Sequence, residues 1–269
     1  MRGVLPEAMR ATTGARERRA RIVELVAEQE EVEVSALAGC FGVSETSIRR
    51  DLAVLEARGR LKRVHGAAIS VQVAARSTVV ATKMHEHTEE KRRIGAVAAS
   101  LIDPGSVVLF DSGTTIAQVP AHLSAQLRSA NAFTAVTHSL LVVQEVATGE
   151  GPSLLCLGGL FLPDYQAFVG PQTVLSLKGF SADVAFVGCD GLTLEDGITT
   201  PHVLIAEVGA TMAGRARRVV ALADSSKLGR SGFTTITPLA QVDLLITDVG
   251  APPELVARIR AAGVEVILA

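Results

Sequence analysis

The sequence predicts two folded parts, a small helical domain with a β-wing and a larger α/β domain built on a mainly parallel sheet. Three observations carry this. The 269 residues are 48% hydrophobic but only 3% aromatic, with no Trp. A core of Val, Leu, Ile and Ala suits a parallel sheet covered by helices. From about residue 89 onward, short apolar runs alternate with helical patterns. Before that point, two short helical segments are joined by a glycine turn.

Residues 1–15, opening MRGVLPEAMR, read as a loose tail without a signal-peptide core, and Met9 is a second candidate start. In RERRARIVELVAEQE, Ile22, Leu25 and Val26 form one helical face. Ser35 is expected to cap a short helix with Leu37, Ala38 and Phe41 inward, and Gly42 then supplies the turn. Ser44 caps a third helix over 44–58, which buries Ile48, Leu52 and Leu55 and stops near Gly59. Thr46 and Arg50 fall opposite that buried face, flanked by Ser47 and Arg49. RLKRVHGAAIS alternates around His65-Gly66 as a small wing carrying Lys62 and Arg63. Residues 16–70 therefore read as a winged helix-turn-helix. The net charge of the chain is -2, yet residues 44–66 hold six basic against three acidic side chains. A neutral total thus conceals a basic segment suited to double-stranded DNA.

Residues 71–88 have a weak pattern and read as a linker. In 89–269, the helix EEKRRIGAVAASLI precedes the strand SVVLF. Further strands are expected at AFTAVT, SLLCLG, ADVAFVG, RVVALAD, VDLLITD and GVEVILA, with helices at 116–127, 139–147, 202–217 and 253–262.

Five loops rich in glycine or hydroxyls each follow an apolar strand. They are Asp111, Ser112, Gly113, Thr114 and Thr115; Thr137, His138 and Ser139; Gly158 and Gly159; Asp190 and Gly191 within GCDG; and ADSSK, ending at Lys227. If the strands are parallel, all five meet along one sheet edge, where open α/β sheets bind ligands. Gly113 lets the backbone approach an anion, a helix starting near Thr115 aims free N–H groups at it, and the hydroxyls add donors. Lys227 offers a positive charge, while Asp111 and Asp190 can accept hydrogen bonds from sugar hydroxyls.

Other chemistry is less well supported. Ser112 lacks the G-x-S-x-G elbow, and a triad would have to recruit His138 or His202. His85 and His87 lie on different faces of a helix, so no metal is expected. Cys40, Cys156 and Cys189 have no metal-ligand spacing and read as small fillers in a reducing cytoplasm. No apolar run approaches membrane-spanning length, and no cofactor is implied.

VSETSIRRDLAVLEARGRLKRVHGAA resembles the winged helix-turn-helix of DeoR-family transcriptional regulators. DSGTT, LGG, FVGP, GCDGL, GITTP and ADSSKLGR follow in that family's order, so the resemblance covers about residues 16–248. It implies a DNA-binding repressor of carbohydrate genes, a homodimer or homotetramer, whose C-terminal domain senses a phosphorylated sugar or related anion. The α/β domain also resembles ribose-5-phosphate isomerase. There a strand-end S-G-x-T loop takes the phosphate, and the matching residues here are Ser112 to Thr115, Asp190, Glu207 and Lys227. GITTP stands where the isomerase has its lysine- and glycine-rich catalytic segment. The chain departs from the regulator pattern at His138 and His87, where Asn is usual, at Lys83, where Arg is common, and at Gly209, where Lys is common. A regulator without enzymatic activity is therefore expected, with the DNA contacts on Ser44, Thr46, Ser47, Arg49, Arg50, Lys62, Arg63 and His65. The rival reading is a sugar-phosphate isomerase-like enzyme with an appended DNA-binding domain.

Overall fold

The computed structural model describes residues 14–29, 31–64, 66–70, 79–148 and 151–269. The chain divides into two compact units, Met1–Thr78 and Val79–Ala269.

In the first unit the order is α1 (Ala15–Gln29), β1 (Glu31–Glu33), α2 (Val34–Phe41), α3 (Glu45–Ala57), β2 (Leu61–Val64) and β3 (Ala67–Ser70). The strands form an antiparallel sheet in the order β1-β3-β2, so the wing has a third strand that the sequence pattern did not reveal. Ile22, Leu25, Val26, Leu37, Phe41, Ile48, Leu52 and Leu55 pack into one core, as the helical spacing requires. Gly42 adopts φ 62° at the end of α2, the left-handed turn that needs glycine. Ser44 caps α3 by accepting the Ser47 N–H. The expected cap at Ser35 is not made. Helix α2 begins two residues earlier, at Val34 with Glu33 at the N-cap, and the Ser35 hydroxyl donates to Glu33 instead.

Asp51 was not anticipated. It sits on α3 at 2% exposure and accepts Arg18 Nε at 2.7 Å and Arg19 Nε at 2.6 Å, which ties α3 to α1.

The second unit opens with α4 (Val79–His85) and α5 (Thr88–Ala99), followed by β4 (Val107–Phe110), α6 (Gln118–Ala121), β5 (Thr134–Thr137), α7 (Leu140–Val146) and β6 (Ser153–Cys156). Then come the hairpin β7 (Leu160–Leu162) and β8 (Ala167–Val169), α8 (Pro171–Lys178), β9 (Ala182–Gly188), β10 (Gly191–Thr193), β11 (Gly197–Thr200) and α9 (Val203–Ala213). The chain finishes with β12 (Ala216–Leu222), β13 (Thr234–Thr237), β14 (Leu244–Thr247), α10 (Pro253–Ala261) and β15 (Glu265–Leu268).

All seven predicted strands enter one sheet, in the order β15-β14-β12-β9-β4-β5-β6, and every pairing is parallel. Its central strands are buried on both faces. Val108, Phe110, Val184, Phe186 and Ile246 meet α5 and α7 on one side, while Leu109, Ala185, Val187 and Leu245 meet α8, α9 and α10 on the other. The sheet runs one way from β4 through β5 to β6 and the other way from β9 to β15. A topological switch point therefore lies between β4 and β9, where Phe110 stacks on Phe186 at 5.7 Å.

Three differences from the sequence reading stand out. The helix expected over 116–127 is reduced to α6, with hydrogen-bonded turns on either side. Pro120 lacks the N–H a longer helix needs, and Arg128 donates to the carbonyls of Pro120, Ala121 and Leu123. The helix expected over 202–217 ends at Ala213, with Gly214 at its C-cap. Within the stretch read as a linker, Val79–His85 is helical, while 71–78 lies outside the described residues.

Candidate functional site

In the first unit, α3 presents Thr46, Arg49 and Arg50 to solvent. Arg49 is held by Glu45 at 2.6 Å, and Arg63 on β2 by Glu56 at 2.6 Å. Among the described residues Arg50 has no ion pair, so its guanidinium is the cation on this face free to take a new partner. The hydroxyls of Ser44 and Ser47 lie 3.1 Å apart within the cap. The side chain of Lys62, and His65 altogether, lie outside the described residues.

In the second unit, a cleft opens at the switch point. Asp111 to Thr115 after β4, Gly188 to Asp190 after β9, and Lys227 after β12 line it, together with Val80, Lys83, Lys91, Asp164, Tyr165 and Thr200. Strand order brings these loops together, because β9 lies between β4 and β12.

The floor is the loop after β4. The Asp111 carboxylate accepts the Ser112 N–H at 2.7 Å, the Gly188 N–H at 3.2 Å and His138 Nε2 at 3.0 Å, so it anchors the loop inward. Gly113 has φ 123°, a conformation closed to side chains of L-residues, and the turn closes through Ala117 N–H on the Gly113 carbonyl. The amides of Gly113, Thr114, Thr115 and Ile116 have no acceptor among the described residues. Four successive open N–H groups form an anion nest without needing a long helix behind them.

Three lysines surround this nest. Lys83 pairs with Asp190, whose other oxygen accepts the Thr200 hydroxyl at 2.9 Å. Lys91 donates to the carbonyls of Lys83 and Glu86, and burial holds its ammonium below the usual lysine value, with Lys227 pushing the same way and Asp224 opposing. Lys227 has no carboxylate within ion-pair range among the described residues. Two ammonium groups without carboxylate partners beside four open amides make the cleft attractive to an anion of more than one charge. At the other end, Tyr165 stands edge-on to His202 with centroids 5.3 Å apart, giving an aromatic wall beside the Asp190 and Thr200 oxygens.

Not every expected residue reaches the cleft. Thr137, His138 and Ser139 are fully buried beneath the β7–β8 hairpin. The Thr137 hydroxyl donates to the Phe110 carbonyl, and His138 Nδ1 faces the Phe168 carbonyl at 2.6 Å, so these side chains position the loops from below. Strands β5 and β6 lie on the far side of β4 from the switch point, which is why their loops fall outside. Gly158 and Gly159 follow β6, and a Cβ on Gly159 would come within 2.2 Å of the Thr173 hydroxyl, so it serves close packing. Gly191 packs likewise against the Arg230 carbonyl, and Glu207 is exposed on α9 and is not among the lining residues.

Sequence reasoning missed Lys91, Tyr165 and Thr200. A signal existed for the first: Lys91, Ile94, Gly95 and Ala98 share the buried face of α5, which places a lysine on an apolar stripe. Cys189 lines the cleft, but burial pushes its thiol up to about 12, with Asp190 adding to the shift. It is therefore a neutral filler rather than a nucleophile at neutral pH.

The profile of the DeoR-like helix-turn-helix domain matches residues 18–73, and that of the DeoR C terminal sensor domain matches residues 86–249. The chain belongs to the DeoR family of transcriptional regulators. The relatives match most of its length. A protein of Escherichia coli O157:H7 named for repression of the aga operon is 35% identical over 95% of this chain and 94% of its own. The HTH-type transcriptional regulator GlpR of Haloferax volcanii is 34% identical over 93% and 96%, and the repressor GlcR of Bacillus subtilis is 32% identical over 86% and 88%. Among solved structures, ribose 5-phosphate isomerase A of Methanocaldococcus jannaschii is 19% identical, covering 51% of this chain and 53% of its own at a TM-score of 0.37. This DeoR-family chain is thus a transcriptional regulator, and its family and curated relatives are regulators rather than enzymes. No helix among the described residues is long and apolar enough to cross a membrane.

Proposed function

We propose that this regulator represses carbohydrate-utilisation genes and leaves its operator when a phosphorylated sugar, or a related organic anion, occupies the cleft at the switch point. The observation that carries the reading is the row of open amides from Gly113 to Ile116 beside the unpaired Lys227. A phosphate monoester supplies several acceptor oxygens and about two charges at neutral pH, which that arrangement satisfies. Asp190, Thr200 and Tyr165 at the other end suit the hydroxyls and the apolar face of a sugar. The names of two relatives, an aga operon repressor and the repressor GlcR, support the sign.

The test uses two variants. Lys227→Ala removes the free cation, and Gly113→Val forces a β-branched residue into φ 123°. Both are expected to abolish effector-driven release of operator DNA while leaving operator affinity unchanged. Normal release by both variants in a fluorescence-anisotropy titration would move the effector elsewhere.

On the DNA side, α3 enters the major groove with Arg50 as the first candidate for a base contact, assisted by Thr46 and Arg49, while Lys62, Arg63 and His65 on the wing hold the backbone. A single reading helix makes few phosphate contacts, so useful affinity calls for a homo-oligomer, with two or four copies on paired half-sites. Arg50→Ala is expected to cost about 1–3 kcal/mol on the operator and less on unrelated DNA. Equal losses on both would make Arg50 a phosphate contact, and no loss would remove it from the interface.

A further inference from the structure

Helix α4 is the first element of the second unit, and its attachments converge on the cleft. The Val80 N–H donates to the Asp164 carbonyl at 3.2 Å, and Lys83 pairs with Asp190. Its C-terminal end is held from α5. The Lys91 ammonium takes the carbonyls of Lys83 and Glu86, the latter at 2.6 Å, and the Thr88 hydroxyl donates to the Met84 carbonyl at 3.3 Å. Asp164, Asp190 and Lys91 all line the cleft. Lys91 is 4% exposed, and an ammonium has three N–H donors, of which two are used on these carbonyls. The remaining donor belongs to a group that lines the same cavity as the open amides.

We propose that Lys91 is both a ligand-contacting cation and the cap of α4, and that through it an anion in the cleft is sensed at the start of the second unit. The inference rests on reading the cleft as an anion site and adds how occupancy leaves it. Lys91 and Lys227 both line the cleft, and the charge of Lys227 disfavours the Lys91 ammonium while Asp224 favours it. An anion in the cleft offsets the Lys227 charge and takes the third Lys91 donor. The ammonium is then fixed against the α4 carbonyls, where a cation also opposes the negative end of the helix. Helix α4 is the first element of the second unit in chain order, so occupancy of the cleft is registered there. A ligand acts in this way only through its different affinity for the fixed and loose forms.

The experiment is hydrogen exchange on the full-length chain, with inorganic phosphate and a set of hexose phosphates as probes. In the wild type, a bound probe is expected to slow exchange at 113–116 and also at 79–86, the latter by about tenfold, as befits one added charge-assisted bond. Without probe, Lys91→Met is expected to speed exchange at the C-terminal end of α4, and Lys227→Met is not. Protection at 113–116 with no change at 79–86 in the wild type would overturn the coupling and leave the anion site standing. Protection at neither segment would overturn the anion site, and the coupling with it. The wild-type arm decides the matter even where a variant fails to fold.

Discussion

Replacing His138 with leucine is expected to destabilise the sensor unit by about 1–3 kcal/mol, the scale for removing a hydrogen-bond partner from a buried polar group. His138 is 0% exposed and Asp111 1%, with the ring between the Asp111 carboxylate and the Phe168 carbonyl. Both ring nitrogens face buried oxygens, so the ring joins the Asp111 loop to the β7–β8 hairpin. Leucine fills the volume but removes one of the three donors to a buried carboxylate, leaving it only the Ser112 and Gly188 amides. Asp111 also holds the Ser112 and Gly188 amides, so the disturbance reaches the floor of the cleft and the strand ends on both sides of the switch point. Hydrogen exchange over 107–110 and 182–188 measures the loss locally. Combining His138→Leu with Asp111→Asn should cost less than the sum of the two singles, because both remove the same hydrogen bond. Additive losses would show that the two side chains act independently.

Replacing Asp51 with alanine should loosen the DNA-binding unit by about 2–3 kcal/mol. The lower end reflects Arg18 and Arg19, which are 14% and 28% exposed and can turn toward water once released. The carboxylate is the join between α1 and α3, so its loss should raise exchange over 15–29. Operator affinity should fall although Arg50 is untouched. Unchanged exchange in α1 with normal DNA binding would reduce the Asp51 cluster to a surface ornament.

Much of this architecture was legible because parallel strands are buried on both faces and leave continuous apolar runs. ADVAFVG became β9 residue for residue. The shorter strands β7, β8, β10, β11 and β13 were not legible. They are three or four residues long, several are rich in Thr and Gly, and pairing with neighbours rather than pattern selects them. Helix α4, VVATKMH, begins with two β-branched residues that favour extended backbone. It is helical where Asp164 accepts one end and α5 caps the other, contacts that a local reading does not contain. The site followed the same division. Ser112 to Thr115, Asp190 and Lys227 were readable as strand-end loops, and their convergence follows from the strand order. Thr137, His138 and Ser139 have the same local signature, but the hairpin β7–β8 covers them, and only the pairing Ser139 to Ala167 reveals it. Lys83 and Lys91 come from helices before the first sheet strand, outside any strand-end argument.

The central claim is that a phosphoryl group in the switch-point cleft controls DNA binding. It is tested most directly by titrating the operator complex of the wild-type protein with phosphorylated sugars and with their unphosphorylated parents, following release by fluorescence anisotropy. The account predicts release by at least one phosphorylated sugar and none by its parent at the same concentration, with the response lost in Lys227→Ala. Equal release by the parent sugar, or release undiminished in Lys227→Ala, would contradict it.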